Sequence, residues 1–131
     1  MPDIEQAKAM LVMAKKDFDA LVGMGNNPIF AEEIYGFHVQ QSVEKSLKAW
    51  LAYLNVDFPY THDLRRLLLL IKQKGVDVTQ FLSLVEYSMY SVQARYEEGL
   101  PESDTPLDRD VARSDAARLF EYVAVLLKPV E

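Results

Sequence analysis

The sequence predicts an all-α fold, an antiparallel up-and-down helical bundle of four to five helices, on three observations. Glycine (5 residues) and proline (6 residues) are scarce in the 131-residue chain and gather at a few places. Between those places lie long runs of helix formers, with apolar residues recurring at three- and four-residue steps. Strand signals are weak, with no sustained alternation and no Asn-Gly hairpin turn.

The first helix is expected over residues 2 to 24. Pro2 suits a first turn, and Asp3 and Glu5 suit the positive end of the helix dipole. Met10, Leu11, Ala14, Phe18, Leu21 and Val22 then share one buried face, and the run from Gly23 to Pro28 is the break. The second helix, the longest periodic segment, is expected from residue 29 or 30 to residue 55. It turns Val39, Val43, Leu47, Trp50 and Leu54 toward the core, flanked by Tyr35 and Phe37. Thr61 reads as the N-cap of a third helix with Asp63 in its first turn; that helix carries Leu64, Leu67, Leu68 and Ile71 and stops at Gly75. A fourth helix is expected from residue 79 to about residue 96, with Leu82, Val85, Met89 and Val92 on one face. Residues 97 to 105 read as a loop. Thr105, Pro106 and Asp108 read as cap, first helical position and acidic third position of a last helix. That helix carries Val111, Ala112, Leu119, Val123, Leu126 and Leu127 and is ended by Pro129.

The length suits one domain, spanning residues 1–131, with a sizeable core. Half the residues are apolar and 26% are charged, the proportions of a folded globular protein. The absence of cysteine removes disulfides and thiolate metal sites and suits a reducing compartment. No apolar run approaches the roughly 20 residues of a membrane span, and the N-terminus lacks the basic start of a secretory signal, so a cytoplasmic location and no membrane partner are expected. The net charge of −6 makes the chain a poor general binder of nucleic acid, and no DNA partner is expected; RNA or nucleotide contact would need a local basic patch.

The second helix carries the strongest pattern. At about 100° per residue, His38, Gln41, Lys45, Lys48 and Ala52 fall on one arc, apart from the core arc, and Glu44 lies between the core and the edge of this stripe. Such a row of donors can face an anion or a carboxylate. The plain alternative is a solvated face in which Glu44 and Lys48 form an ordinary i,i+4 pair. His62 falls at the start of the third helix, where free backbone N–H groups favour anions, although His62 and Asp63 can equally serve as caps. Arg65, Arg66, Lys72 and Lys74 make a modest basic edge. Arg95, beside Tyr96, can pair with a core carboxylate such as Glu44 or clamp a phosphate. No His-Glu-x-x-His, carboxylate–His cluster or glycine-rich phosphate loop is present, and neither a metal nor a cofactor is expected.

Three segments together resemble the HEPN family of helical domains: the second-helix run from His38 to Ala49 (His-Val-Gln-Gln-Ser-Val-Glu-Lys-Ser-Leu-Lys-Ala), then Tyr60-Thr61-His62-Asp63-Leu64, then Ala94-Arg95-Tyr96. The resemblance covers roughly residues 5 to 127. It implies a four- or five-helix bundle, usually a homodimer, with a role in binding nucleotides or RNA and, in many prokaryotic members, a nucleotidyltransferase-type protein partner in a toxin–antitoxin pair. The chain departs from the family's ribonuclease-type members, which carry an arginine, four to six residues and then a histidine on one helix. No arginine stands four to seven places before His38 or His62. The family's proline after Arg-Tyr is replaced here by Glu97, which touches only the loop.

Three functional readings follow. The first is a non-catalytic module binding a nucleotide or a partner protein, with His38, Gln41, Glu44, Lys45, Lys48, His62 and Arg95 as the ligand-binding candidates. The second is a metal-independent ribonuclease in which His38 or His62 acts as general acid–base and Arg95 stabilises developing charge. The third is an interaction or dimerisation module in which the polar row fixes the bundle register and exposed aromatics such as Tyr87, Tyr90 and Tyr96 form the partner surface. The missing Arg–His pattern favours a protein that is not an enzyme.

Overall fold

The computed structural model describes residues 3–91 and 106–128, and within them every regular element is a helix. The helices are α1 (Ile4–Met24), α2 (Glu32–Tyr53), α3 (Leu64–Lys72), a 3-10 helix (Thr79–Tyr90) and α4 (Arg109–Leu126). Arg95, Tyr96, the expected loop from residue 97, the Thr105 cap and the Pro129 stop lie outside the described residues.

Asp3, expected inside the first helix, caps it instead: its carboxylate accepts from the Gln6 N–H at 3.0 Å, satisfying one of the amides a helix start leaves open. α1 buries Ala7, Ala14 and Leu21, a seven-residue repeat, while Met10, Leu11 and Phe18 are half-buried beside it. Val22, expected on this face, is 57% exposed because the buried stripe is narrow and centred on Leu21. Gly25 ends the helix with φ +51°, a backbone that L side chains adopt only with strain.

The second helix starts at Glu32, later than expected. The Asn27 side chain accepts from the Ile29 N–H, and the Phe30 N–H turns back to the Asn27 carbonyl. Arg109 of α4 also donates to the carbonyls of Asn27 (3.2 Å) and Phe30 (2.6 Å), holding this segment in its turn ahead of the helix. α2 packs against every other helix. Accordingly it is buried on most sides, with Tyr35, Val39, Val43, Leu47 and Trp50 in the core and Leu54 half-buried at its end. Asn55 closes it in the left-handed region (φ 59°), with the Val56 N–H bonded to the Leu51 carbonyl and the Asn55 N–H to that of Ala52. These two bonds make a Schellman cap with asparagine in the usual glycine position.

Asp63, not Thr61, caps α3, accepting from the Arg65 N–H; the Thr61 hydroxyl accepts one step upstream, from the Asp63 N–H. The expected face of Leu64, Leu67, Leu68 and Ile71 is buried, and Gly75 (φ +85°) follows the helix.

The fourth helix differs most. It is a 3-10 helix over Thr79–Tyr90, and the residues it buries are Phe81, Leu84, Tyr87 and Tyr90, not Leu82, Val85 and Met89. The reason is geometric. With three residues per turn, positions three apart eclipse, and these four stand at strict three-residue spacing. Tyr87 and Tyr90 are therefore core residues, each 8% exposed, and are not available as a partner surface. Tyr96 lies outside the described residues.

The last helix is capped by Asp108, whose carboxylate accepts from the Val111 N–H, so Pro106 precedes the helix. Ala112, Leu119, Val123 and Leu127 are buried, Leu126 is half-buried and Val111 is exposed. The Asp3 N–H reaches the Ala52 carbonyl, so the start of α1 meets the end of α2. Asn26 bonds to Asp110, so the end of α1 meets the start of α4. α1 thus runs antiparallel to both α2 and α4, while α2 and α4 run in the same direction, their starts joined by the Tyr35 hydroxyl donating to the Arg109 carbonyl. Trp50, Phe81 and Tyr122 form an aromatic triad that fastens α2, the 3-10 helix and α4, with ring centroids 4.9–5.8 Å apart.

Two predictions test this packing. A Cβ added at Gly36 would fall inside the van der Waals envelope of the Tyr90 ring. Gly36→Ala, despite gaining helix propensity, is expected to lower the unfolding free energy by about 1–3 kcal/mol in denaturant melts; an unchanged midpoint would show that Tyr90 does not rest on α2. Burial, then the hydrogen bond to Asp115 at 2.8 Å, raise the Tyr87 phenol above its ordinary value. A raised folded-state value contributes stability below the unfolded tyrosine value of about 10 and loses it as pH climbs through the folded one. Denaturant melts above pH 10 should therefore show a steeper loss in the parent protein than in Tyr87→Phe.

Candidate functional site

The stripe on α2 is not a solvated face. Its members are gathered around two carboxylates, Asp17 on α1 and Glu44 on α2 itself. His38 and Lys45 stand seven residues apart, two helical turns, and both reach α1. His38 Nδ1 lies 2.9 Å from Asp17 Oδ1 and Lys45 Nζ lies 2.6 Å from Asp17 Oδ2. One-third of a turn around the helix, Glu44 is 4% exposed. Its Oε1 accepts from Gln40 Nε2 at 2.9 Å and faces His62 Nδ1 at 2.7 Å, while its Oε2 accepts from Lys48 Nζ at 3.1 Å. Gln41 donates to the Gln40 side-chain oxygen at 2.7 Å, extending the second cluster toward the first.

The two clusters repeat one design, a carboxylate holding one imidazole and one ammonium. A carboxylate only accepts, so each histidine bears its hydrogen on Nδ1 and keeps Nε2 for something else. The rings are partly open, with side-chain exposures of 30% for His38 and 37% for His62. The lysines are more enclosed, at 18% for Lys45 and 12% for Lys48. Two carboxylates thus stand opposite two ammonium groups, with one imidazole on each carboxylate. Aromatic rings border it. Phe37 meets the His38 ring edge-on at 5.3 Å, Lys48 lies over Phe58 at 5.6 Å, and the fully exposed Tyr60 stands 6.4 Å from the His62 ring.

Of the sequence candidates, the structure brings His38 and Lys45 together through Asp17, and Glu44, Lys48 and His62 into direct contact, with Gln41 one bond away. Arg95 lies outside the described residues. The open anion site expected at the start of α3 is not found there: His62 precedes the cap, the Arg65 N–H is taken by Asp63 and the Leu64 N–H by the Ser88 hydroxyl at 3.1 Å. The basic edge is separate as well. Arg65 and Lys72 line a small groove between α3 and the 3-10 helix that contains no member of the stripe.

Two participants were not singled out from the sequence. Asp17 stands three residues after Ala14 and four before Leu21, both fully buried, so an acid on the apolar row of α1 was the available signal. Gln40 sits four residues before Glu44 and is fully buried. The described residues contain no group of three or more His, Cys, Asp or Glu able to hold a metal ion.

Glu44 holds this arrangement together, which makes it the residue to test. Removing one partner of a buried pair leaves the other uncompensated, at about 3–5 kcal/mol. Glu44→Ala is expected to cost about that much in urea melts, and Glu44→Leu combined with Lys48→Met to recover a large part of it. A single variant as stable as the parent would mean that water already screens the carboxylate.

Comparison with known proteins agrees with the motif reading. The family model described as HEPN domain matches residues 4–131. Neither the comparison with curated proteins nor that with solved structures gives a match. The match covers nearly the whole chain and all the described helices, and the chain therefore belongs to the HEPN domain family.

Proposed function

We propose that this protein is a non-catalytic HEPN module that binds a phosphate-bearing ligand, a nucleotide or a short RNA, at the open edges of His38 and His62. The observation that carries the reading is the pair of carboxylate-held imidazoles, each with Nε2 left unused by its carboxylate. A protonated imidazole so held donates to a phosphate oxygen, and its carboxylate stabilises the added charge. Gln41, Glu44, Lys45 and Lys48 are positioning residues in this scheme: they fix the rings and balance the charge rather than touch the ligand. Tyr60, fully exposed beside His62, offers a face on which a base can stack. Arg95 joins the ligand set on the strength of the family motif. Ribonuclease chemistry of the Arg–His kind is left out, because no arginine stands at the required spacing before either histidine. A homodimer, a nucleotidyltransferase-type protein partner in a toxin–antitoxin pair and a cytoplasmic location belong to the same proposal and rest on the family.

A second reading, the interaction module, is favoured by one observation: both lysines are already engaged by carboxylates. It makes the network a device for fixing α1 and α3 on α2.

A thermal-shift screen against nucleoside mono-, di- and triphosphates and a short single-stranded RNA separates the two. A ligand at 100 times its Kd adds about 2.7 kcal/mol to the folded state, several degrees in a domain of this size. The expected result is a shift that is lost in His38→Ala combined with His62→Ala. A shift that survives in that variant removes the histidines from the site, and no shift with any ligand leaves the interaction module.

A further inference from the structure

A shallow groove of about 400 Å³ runs between α1 and α4 and shares no lining residue with the carboxylate–histidine clusters. On α1 it is lined by Lys8, Leu11, Val12 and Lys15, at steps of three, one and three, which is one continuous stripe of helix surface. α4 contributes Phe120 and Ala124, its C-cap Leu127 follows, and Lys128 closes the end. The floor is apolar, and Val12 is 57% exposed, so this stripe is not covered by any described part of the chain.

The charge on its rim is the informative feature. The chain carries 20 acidic and 14 basic residues, yet every charged residue lining the groove is a lysine. Neither Lys8 nor Lys128 has an ion-pair partner among the described residues. Lys15 has only an exposed i,i+4 contact with Asp19 at 3.1 Å, which solvent screens and a better-placed anion displaces. Lys8 and Lys15 are seven residues apart, roughly 10 Å along the helix axis. That is one heptad of a helix lying alongside.

We infer that this groove docks an amphipathic helix of a partner protein, one whose apolar stripe is flanked by acidic residues a heptad apart. An apolar trough between two antiparallel helices accepts a third helix by the ridges-into-grooves packing that the bundle already uses. Acidic flanks meet Lys8 and Lys15 on one side and Lys128 at the end. The acid-rich remainder of the chain repels the same partner elsewhere and so restricts it to this face.

The test uses two fluorescein-labelled synthetic peptides of one leucine heptad pattern, one flanked by glutamate and one by lysine, titrated with the full chain by fluorescence anisotropy. The glutamate peptide is expected to bind at least tenfold more tightly than the lysine peptide. Lys8→Glu combined with Lys15→Glu, both on exposed positions, should reverse that order with no change in melting temperature. Equal binding of the two peptides, or an order unchanged in the variant, overturns the proposal. So does the absence of binding together with a parent dimer that Val12→Glu converts to a monomer, since the face is then covered by a second copy of this chain.

Discussion

A carboxylate sealed inside a helical bundle has to be neutralised, and Glu44 is the place where this protein meets that constraint. Three donors converge on it from two directions: Gln40 and Lys48 from one turn before and after on the same helix, and His62 from the segment leading into α3. The first two fix the rotamer of the acid. The third fixes where the chain must pass after α2 ends. The Schellman cap at Asn55 turns the backbone, the loop carries Phe58 under Lys48, and His62 arrives with its Nδ1 against the buried oxygen. α3 then starts at once on the Asp63 cap. The position of the short third helix therefore follows from a polar contact rather than from its own four buried apolar residues alone.

The same economy joins α1 to α2. Small residues, Ala7 and Ala14 on one side and Ser42, Ser46 and Ala49 on the other, allow close packing, and Asp17 ties the interface to His38 and Lys45. Ser42 and Ser46 hydroxyls have no hydrogen-bond partner in the described structure, so this seam relies on fit and on the Asp17 pair for its specificity. Polar groups inside the bundle thus do two jobs: they set helix register, and they leave two imidazole edges open at the surface.

Much of the fold was legible because α-helical periodicity is a local property. The core rows of α2 and α3 read correctly from spacing, and Gly25, Asn55 and Gly75 marked real ends. The errors were of two physical kinds. At helix starts several capping residues stand close together, and the choice between Thr61 and Asp63 depends on which side chain the local backbone lets reach back. In the fourth helix, Phe81, Leu84, Tyr87 and Tyr90 carry a period of three, which a search for 3.6 passes over in favour of Leu82, Val85 and Met89. For the site, the residues on one helix were visible together and the family motif linked them to His62. Asp17 was visible only as an acid on the apolar row of α1; its partners on α2 are set by how the two helices slide against each other, which the spacing within neither one records.

Arg109 has a consequence for the order in which the molecule can assemble. Its guanidinium stacks over Tyr35 at 5.0 Å and gathers carbonyls of Gly25, Asn27 and Phe30, roughly eighty residues earlier in the chain. The tight corner between the first two helices is thus completed by a group that leaves the ribosome long after the corner itself. Until then the Asn27 carbonyl has only the Phe30 N–H, and those of Gly25 and Phe30 are left to water. The α1–α2 hairpin can form as a pair during synthesis, but the angle at its bend becomes fixed only when the last helix docks, so closure of the bundle and setting of that corner are a single late event.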